Sequence, residues 1–108
     1  MFRQIIMKHY NKLVRDAIPA IIKADGGVPH TRVLDDDEYE AALWDKLDEE
    51  KLEARETGNL EEFADLQEVV NTLAELHGYS PDEVEAARIL KNQSKGAFVY
   101  RIYLESVD

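Results

Sequence analysis

The chain has no cysteine among its 108 residues. Disulfides, thiolate metal sites and cysteine nucleophiles are therefore excluded, and any metal must be held through oxygen or imidazole. Basic residues are scarce: 13 Lys and Arg stand against 23 Asp and Glu, a formal net charge of −10. That balance disfavours a nucleic acid polymer or an anionic membrane as partner. Apolar runs are only a few residues long, as in Ala20-Ile21-Ile22 or Ala41-Ala42-Leu43-Trp44. A membrane span requires roughly 20. Met1-Phe2-Arg3-Gln4-Ile5-Ile6 is too short and too interrupted for a signal peptide. The expected location is cytoplasmic, with Met7 an alternative start and the first six residues an extension or an extra strand. There is no glycine-rich phosphate loop either, since Gly26-Gly27 lacks the Lys-Ser/Thr that would follow it.

What is present fits one domain covering residues 1–108, because the chain is too short for two. A domain this small keeps much apolar surface near the outside, and a homodimer or higher homo-oligomer is an economical way to bury it. Along the chain, Tyr10 to Asp16 leads into a short helix around Ile18 to Ala24, with Asp16 as the expected N-cap and Pro19 in the first turn. Gly26-Gly27 stops it. Thr31 to Leu34 reads as a short strand. Asp35 to Asp37 then supply caps and favourable charge for a long helix to about Thr57, which Gly58 ends. Asn59 caps a third helix, Leu60 to His77, and Ser80-Pro81-Asp82-Glu83 starts a fourth that runs to about Lys95. In Phe98 to Leu104 the residues Phe98, Tyr100, Ile102 and Leu104 alternate as one face of a strand that pairs with Thr31 to Leu34. The expected result is a helical bundle with a short β accessory near the C-terminus.

Acidic residues on a helix should avoid its apolar face. On the third helix, at about 100° per residue from Leu60, the apolar positions fill an arc from roughly 160° to 320°. Glu62 falls inside it at about 200°, and Asp65 sits on its rim at about 140°. On the second helix, Tyr39, Leu43, Leu47 and Ala54 define an arc from about 0° to 80°, with Glu50 inside near 20° and Glu53 beside it near 320°. Ionised carboxylates so placed require protonation, basic partners or a cation. If Thr57-Gly58-Asn59 reverses the chain, Glu53 faces Glu62 roughly 6 to 8 Å from the turn, and Glu50 faces Asp65 roughly 10 to 12 Å from it. Four carboxylates in two matched layers suit a hard cation, Mg²⁺ or Mn²⁺ rather than zinc. Either acidic pattern alone is an ordinary solvated helix face; the two together, at matched heights, leave a metal site and a solvated face as equal alternatives.

With those residues located, the chain resembles the MazG-like all-α nucleoside triphosphate pyrophosphohydrolase superfamily, which also includes phosphoribosyl-ATP pyrophosphohydrolases and dimeric dUTPases. The resemblance rests on Tyr10-Asn11-Lys12-Leu13-Val14-Arg15-Asp16, Glu49-Glu50-Lys51-Leu52-Glu53, Glu62-Phe63-Ala64-Asp65-Leu66 and Lys91-Asn92-Gln93-Ser94-Lys95-Gly96-Ala97-Phe98, in that order. It implies an all-α, four-helix antiparallel bundle in which Glu50, Glu53, Glu62 and Asp65 are magnesium ligands. The connection between the two acidic pairs is shorter here than in many members. The implied reaction is hydrolysis of a nucleoside triphosphate, including non-canonical ones in a house-cleaning role, to monophosphate and pyrophosphate. Glu53 is the candidate general base, and Glu49 is either an auxiliary ligand or a surface residue. Lys12, Arg15, Lys91 and Lys95 are candidates for holding phosphates, and Asn71 for the base or ribose. Phosphoribosyl-ATP hydrolysis in histidine biosynthesis shares the fold and metal chemistry. A non-catalytic helical interaction module is the reading from another class.

Overall fold

A computed structural model describes residues 7–108; the extension or extra strand expected at residues 1–6 lies outside them. Four helices follow one another: α1 (Ile18–Ala24), α2 (Asp36–Thr57), α3 (Leu60–Leu76) and α4 (Pro81–Lys95). The all-α expectation holds, and the boundaries follow local chemistry. Asp35 caps α2 by accepting from the Glu38 N–H at 2.9 Å, and three acids in the first turn complement the helix dipole. At the other end Gly58 takes a left-handed φ of 65°, which a side chain resists, and closes the helix. Ser80 and Glu83 form a reciprocal capping box at the start of α4, with Pro81 in the first turn.

Two local expectations fail. Asp16 does not cap α1: the N-cap position is Ala17, with no side-chain hydrogen bond. The β accessory is not formed among the described residues, where neither Thr31 to Leu34 nor Phe98 to Leu104 is a strand. A turn at Val99 and Tyr100 and a left-handed Arg101, at φ 59°, interrupt the alternation on which the C-terminal strand was predicted. Two short segments without a third strand are in any case marginal in water.

The core is the seam between α2 and α3. Leu43, Val69 and Leu73 are buried there, and Leu13, Tyr39 and Leu47 pack against them. α4 touches only α3, and lightly, while α1 packs on no other helix among the described residues. The four helices therefore do not close into a bundle within one chain. The radius of gyration is 19.4 Å and the long dimension 76 Å, against a radius of about 13 Å for a compact domain of this length. The α3 apolar arc is half used as a consequence: Val69 and Leu73 are buried, whereas Phe63 and Val70 face outward. No helix among the described residues is long and apolar enough to cross a membrane.

Candidate metal centre

The reversal at Gly58 lays α3 back along α2, so residues equidistant from the turn come face to face. Glu50, Glu62 and Asp65 each bring one carboxylate oxygen to within 4.8 Å of the others. Three of the four residues that the helical wheels single out thus converge. The fourth, Glu53, is half-buried and its carboxyl helps to raise that of Glu62, but it does not belong to the converging set.

Burial distinguishes this group from ordinary surface acids. Glu50 is only 5% exposed and is the one buried charged residue among those described. Its Oε1 meets the Lys46 ammonium at 3.2 Å, while its Oε2 and the Oε2 of Glu62 are enclosed with no hydrogen-bond partner. Burial pushes the Glu50 carboxyl above its ordinary range; Lys46 opposes this, and Glu53 and Asp65 add to it. Glu62 is raised for the same first reason, with Glu53, then Glu50 and Asp65, contributing further. Both groups resist ionisation where they stand, and a cation would reverse that preference. A donor set made of carboxylate oxygens fits a hard divalent ion, magnesium or manganese.

Positive side chains border the acids. Lys12 donates to Glu49 Oε1 at 2.6 Å, which raises the Lys12 ammonium and holds the Glu49 carboxyl below its usual range. Arg15 donates to Asp65 Oδ1 at 2.6 Å and is likewise raised by that contact. Lys46 spans Glu49, at 3.3 Å, and Glu50. Arg15 and Lys46 flank a cleft of about 200 Å³ whose walls include Leu13, Tyr39, Glu50, Asp65 and Thr72. Of the residues expected to hold substrate, Arg15 lines this cleft, and Lys12 lines a smaller one beside Glu49. Lys91 and Lys95 stand on the exposed outer part of α4, and Asn71 is half-buried on α3; none of the three borders either cleft. Lys46 escaped the sequence reading. Its signal was there, four residues before Glu50 on one helix face. His77 closes α3 and meets Glu40 at 3.1 Å, a structural contact.

No family model and no solved structure matches the chain. An uncharacterized protein of Mycolicibacterium smegmatis (strain ATCC 700084 / mc(2)155) is 59% identical over 44 residues, which make up 41% of this chain and 45% of that protein. The match spans less than half of that relative's length, and its description assigns no activity.

Proposed function

We propose that the chain is a Mg²⁺- or Mn²⁺-dependent nucleotide pyrophosphohydrolase that cleaves a nucleoside triphosphate to the monophosphate and pyrophosphate, with its centre at Glu50, Glu62 and Asp65. One observation carries the reading: three carboxylates converge within 4.8 Å, and two of them keep a buried oxygen without a partner. A buried unsatisfied acceptor costs about 1 to 3 kcal/mol, more when charged, and a cation shared by the two oxygens would remove that cost. The resemblance of the acidic pairs and of Tyr10 to Asp16 to the MazG-like superfamily supplies the reaction class. A four-helix bundle of that type, which one chain by itself does not close, belongs to the same proposal.

In this reading Glu50, Glu62 and Asp65 hold the ion. When bound, the ion neutralises phosphate charge and lowers the pKa of an attacking water. Glu53, beside Glu62 yet outside the converging set, accepts the proton from that water. Arg15 and Lys12 border the clefts and turn their N–H donors to phosphate oxygens, where a guanidinium offers a paired fork and an ammonium a single point of charge. Tyr39 and Leu13 form the apolar wall against which the nucleoside rests.

The test is an assay of the purified chain with a panel of nucleoside triphosphates and phosphoribosyl-ATP, with Mg²⁺, Mn²⁺ or chelator, reading pyrophosphate and orthophosphate separately. Metal-dependent pyrophosphate release is the expected result. Orthophosphate alone refutes cleavage between the α and β phosphates. No turnover of any nucleotide, with no stabilisation by metal, favours the non-catalytic interaction module instead. Preference within the panel separates a triphosphate substrate from phosphoribosyl-ATP.

A further inference from the structure

Lys46 is the charged side chain beside the centre to which the proposed reaction gives no role, and it is more enclosed than its neighbours. Its side chain is 16% exposed, against 41% for Lys12 and 58% for Arg15. An ammonium withdrawn from water needs acceptors. Lys46 has two, three and four residues further along the same helix face: Glu49 Oε2 at 3.3 Å and Glu50 Oε1 at 3.2 Å.

The contacts continue in both directions. Glu49 accepts from Lys12 with its other oxygen, Oε1, at 2.6 Å, and the other oxygen of Glu50, Oε2, is the enclosed one without a partner. Lys12, Glu49, Lys46 and Glu50 thus form a row of alternating charge, along which side-chain exposure falls from 41% through 27% and 16% to 7%. The row starts at the small cleft beside Glu49 and ends at the carboxylate cluster, and Lys46 is the basic residue that lines both clefts. Glu49 divides its charge between two ammonium groups. Losing one strengthens its hold on the other.

We propose that Lys46 is a positioning residue that couples the capture of phosphate by Lys12 to the affinity of Glu50 for the metal ion. When Lys12 leaves Glu49 for a phosphate, Glu49 draws the Lys46 ammonium off Glu50, and Glu50 meets the ion with its charge undivided. The converse follows by linkage, since an ion on Glu50 repels the ammonium towards Glu49 and so loosens Lys12 for the phosphate. Both steps shift a side chain that already touches the two carboxylates. The inference rests on Glu50 as a metal ligand, and Lys46 acts through that ligand without touching the substrate.

The experiment is a double-mutant cycle read by calorimetric titration of Mn²⁺ alone, without nucleotide, into the wild-type chain, Lys12→Met, Lys46→Met and the double variant. Lys12→Met imitates the departure of Lys12, and the expected Mn²⁺ affinity is about fivefold tighter, the low end of what coupled sites show. In the Lys46→Met background the same change shifts affinity by less than about twofold, the scatter of independent sites. Glu49→Gln, which cuts the row one residue earlier, abolishes the effect in the same way and serves if Lys46→Met loses its helices by circular dichroism. Lys46→Arg keeps the charge and keeps the effect. A plain field of the Lys12 charge acts whether or not Lys46 is present, so an equal gain from Lys12→Met in every background overturns the coupling and leaves the metal centre standing. Mn²⁺ that binds neither the wild type nor any variant overturns the centre itself, and the coupling with it.

Discussion

Replacing Glu50 by Gln separates a metal ligand from a structural ion pair, because the two roles give stability changes of opposite sign. The substitution keeps volume and removes charge. What it takes away is the negative charge facing Lys46 at 3.2 Å; the amide oxygen still accepts from that ammonium, and Lys46 retains Glu49 at 3.3 Å, so this loss is about 1 kcal/mol, the order of one hydrogen bond. What it relieves is larger. The side chain of Glu50 is only 7% exposed, its second oxygen has no partner, and two other carboxylates lie within 4.8 Å. Leaving a buried charged acceptor unsatisfied costs about 1 to 3 kcal/mol, and an amide in its place donates to the neighbouring carboxylates. The net expectation in chelator is a gain of about 1 kcal/mol, or roughly 4 to 8 °C in Tm for a domain of this size.

With manganese the order inverts. An ion present at about a hundred times its Kd adds about 2.7 kcal/mol to a folded state that binds it, hence roughly 10 to 20 °C in Tm. The wild type gains this increment and Glu50→Gln does not. Thermal melts of both proteins at equal concentration, in chelator and across a manganese titration, read all four corners. Two results refute the reasoning: a variant destabilised in chelator, or a variant that keeps the wild-type response to manganese.

The same two groups set a pH dependence. Glu50 and Glu62 are both raised in the folded state, so they favour folding below the ordinary carboxylate value, and that contribution is lost as pH rises through their raised values. The advantage of Glu50→Gln in chelator is therefore expected to grow as pH rises from below the ordinary carboxylate range through the raised values, measured as the difference in Tm from wild type; a difference independent of pH contradicts it. Gly58→Ala tests the turn that brings α2 and α3 together. An added Cβ meets nothing within 4 Å, yet φ is 65°, so the expected loss is purely conformational, about 1 to 2 kcal/mol by denaturant melt, with the helical spectrum unchanged.

The helices were legible because their end signals are local. Asp35, Gly58 and the Ser80–Glu83 box act within a turn of their own positions, and the α2 wheel placed Glu50 on the buried face through a period that belongs to one helix alone. The strand from Phe98 to Leu104 was not legible, since alternation states which side chains share a face and nothing about whether another strand is present to bond them. The backbone of Arg101 settles it by leaving the extended region. At the site, the meeting of Glu50 with Asp65 followed from counting residues to Gly58, whereas the same count set Glu62 against Glu53 and not within the group of three that converges. The part played by Arg15 did not follow, because its contact with Asp65 joins residues 50 positions apart, and no periodicity links a loop to a helix.

That contact shows why the segment from Asn11 to Asp16 reads as it does. Lys12 reaches Glu49 on α2, Leu13 enters the core, and Arg15 reaches Asp65 on α3, so the segment straddles both helices. Asn11 supports this with a left-handed φ of 46°, a conformation Asn tolerates better than most residues. Arg15 is then a cation already seated on one of the proposed metal ligands, and it must share Asp65 with an incoming ion. Arg15→Gln removes the competitor. Its side chain is 58% exposed and that of Asp65 33%, so the pair is worth about 1 kcal/mol or less, and manganese affinity without nucleotide should rise by no more than about fivefold. Nucleotide affinity should fall in the same variant, because the guanidinium that leaves Asp65 is the one proposed to meet phosphate. Calorimetric titration of manganese alone, and of a non-hydrolysable triphosphate in its presence, measures both. Weaker manganese binding in Arg15→Gln would mean that the arginine organises Asp65 for the ion instead of competing with it.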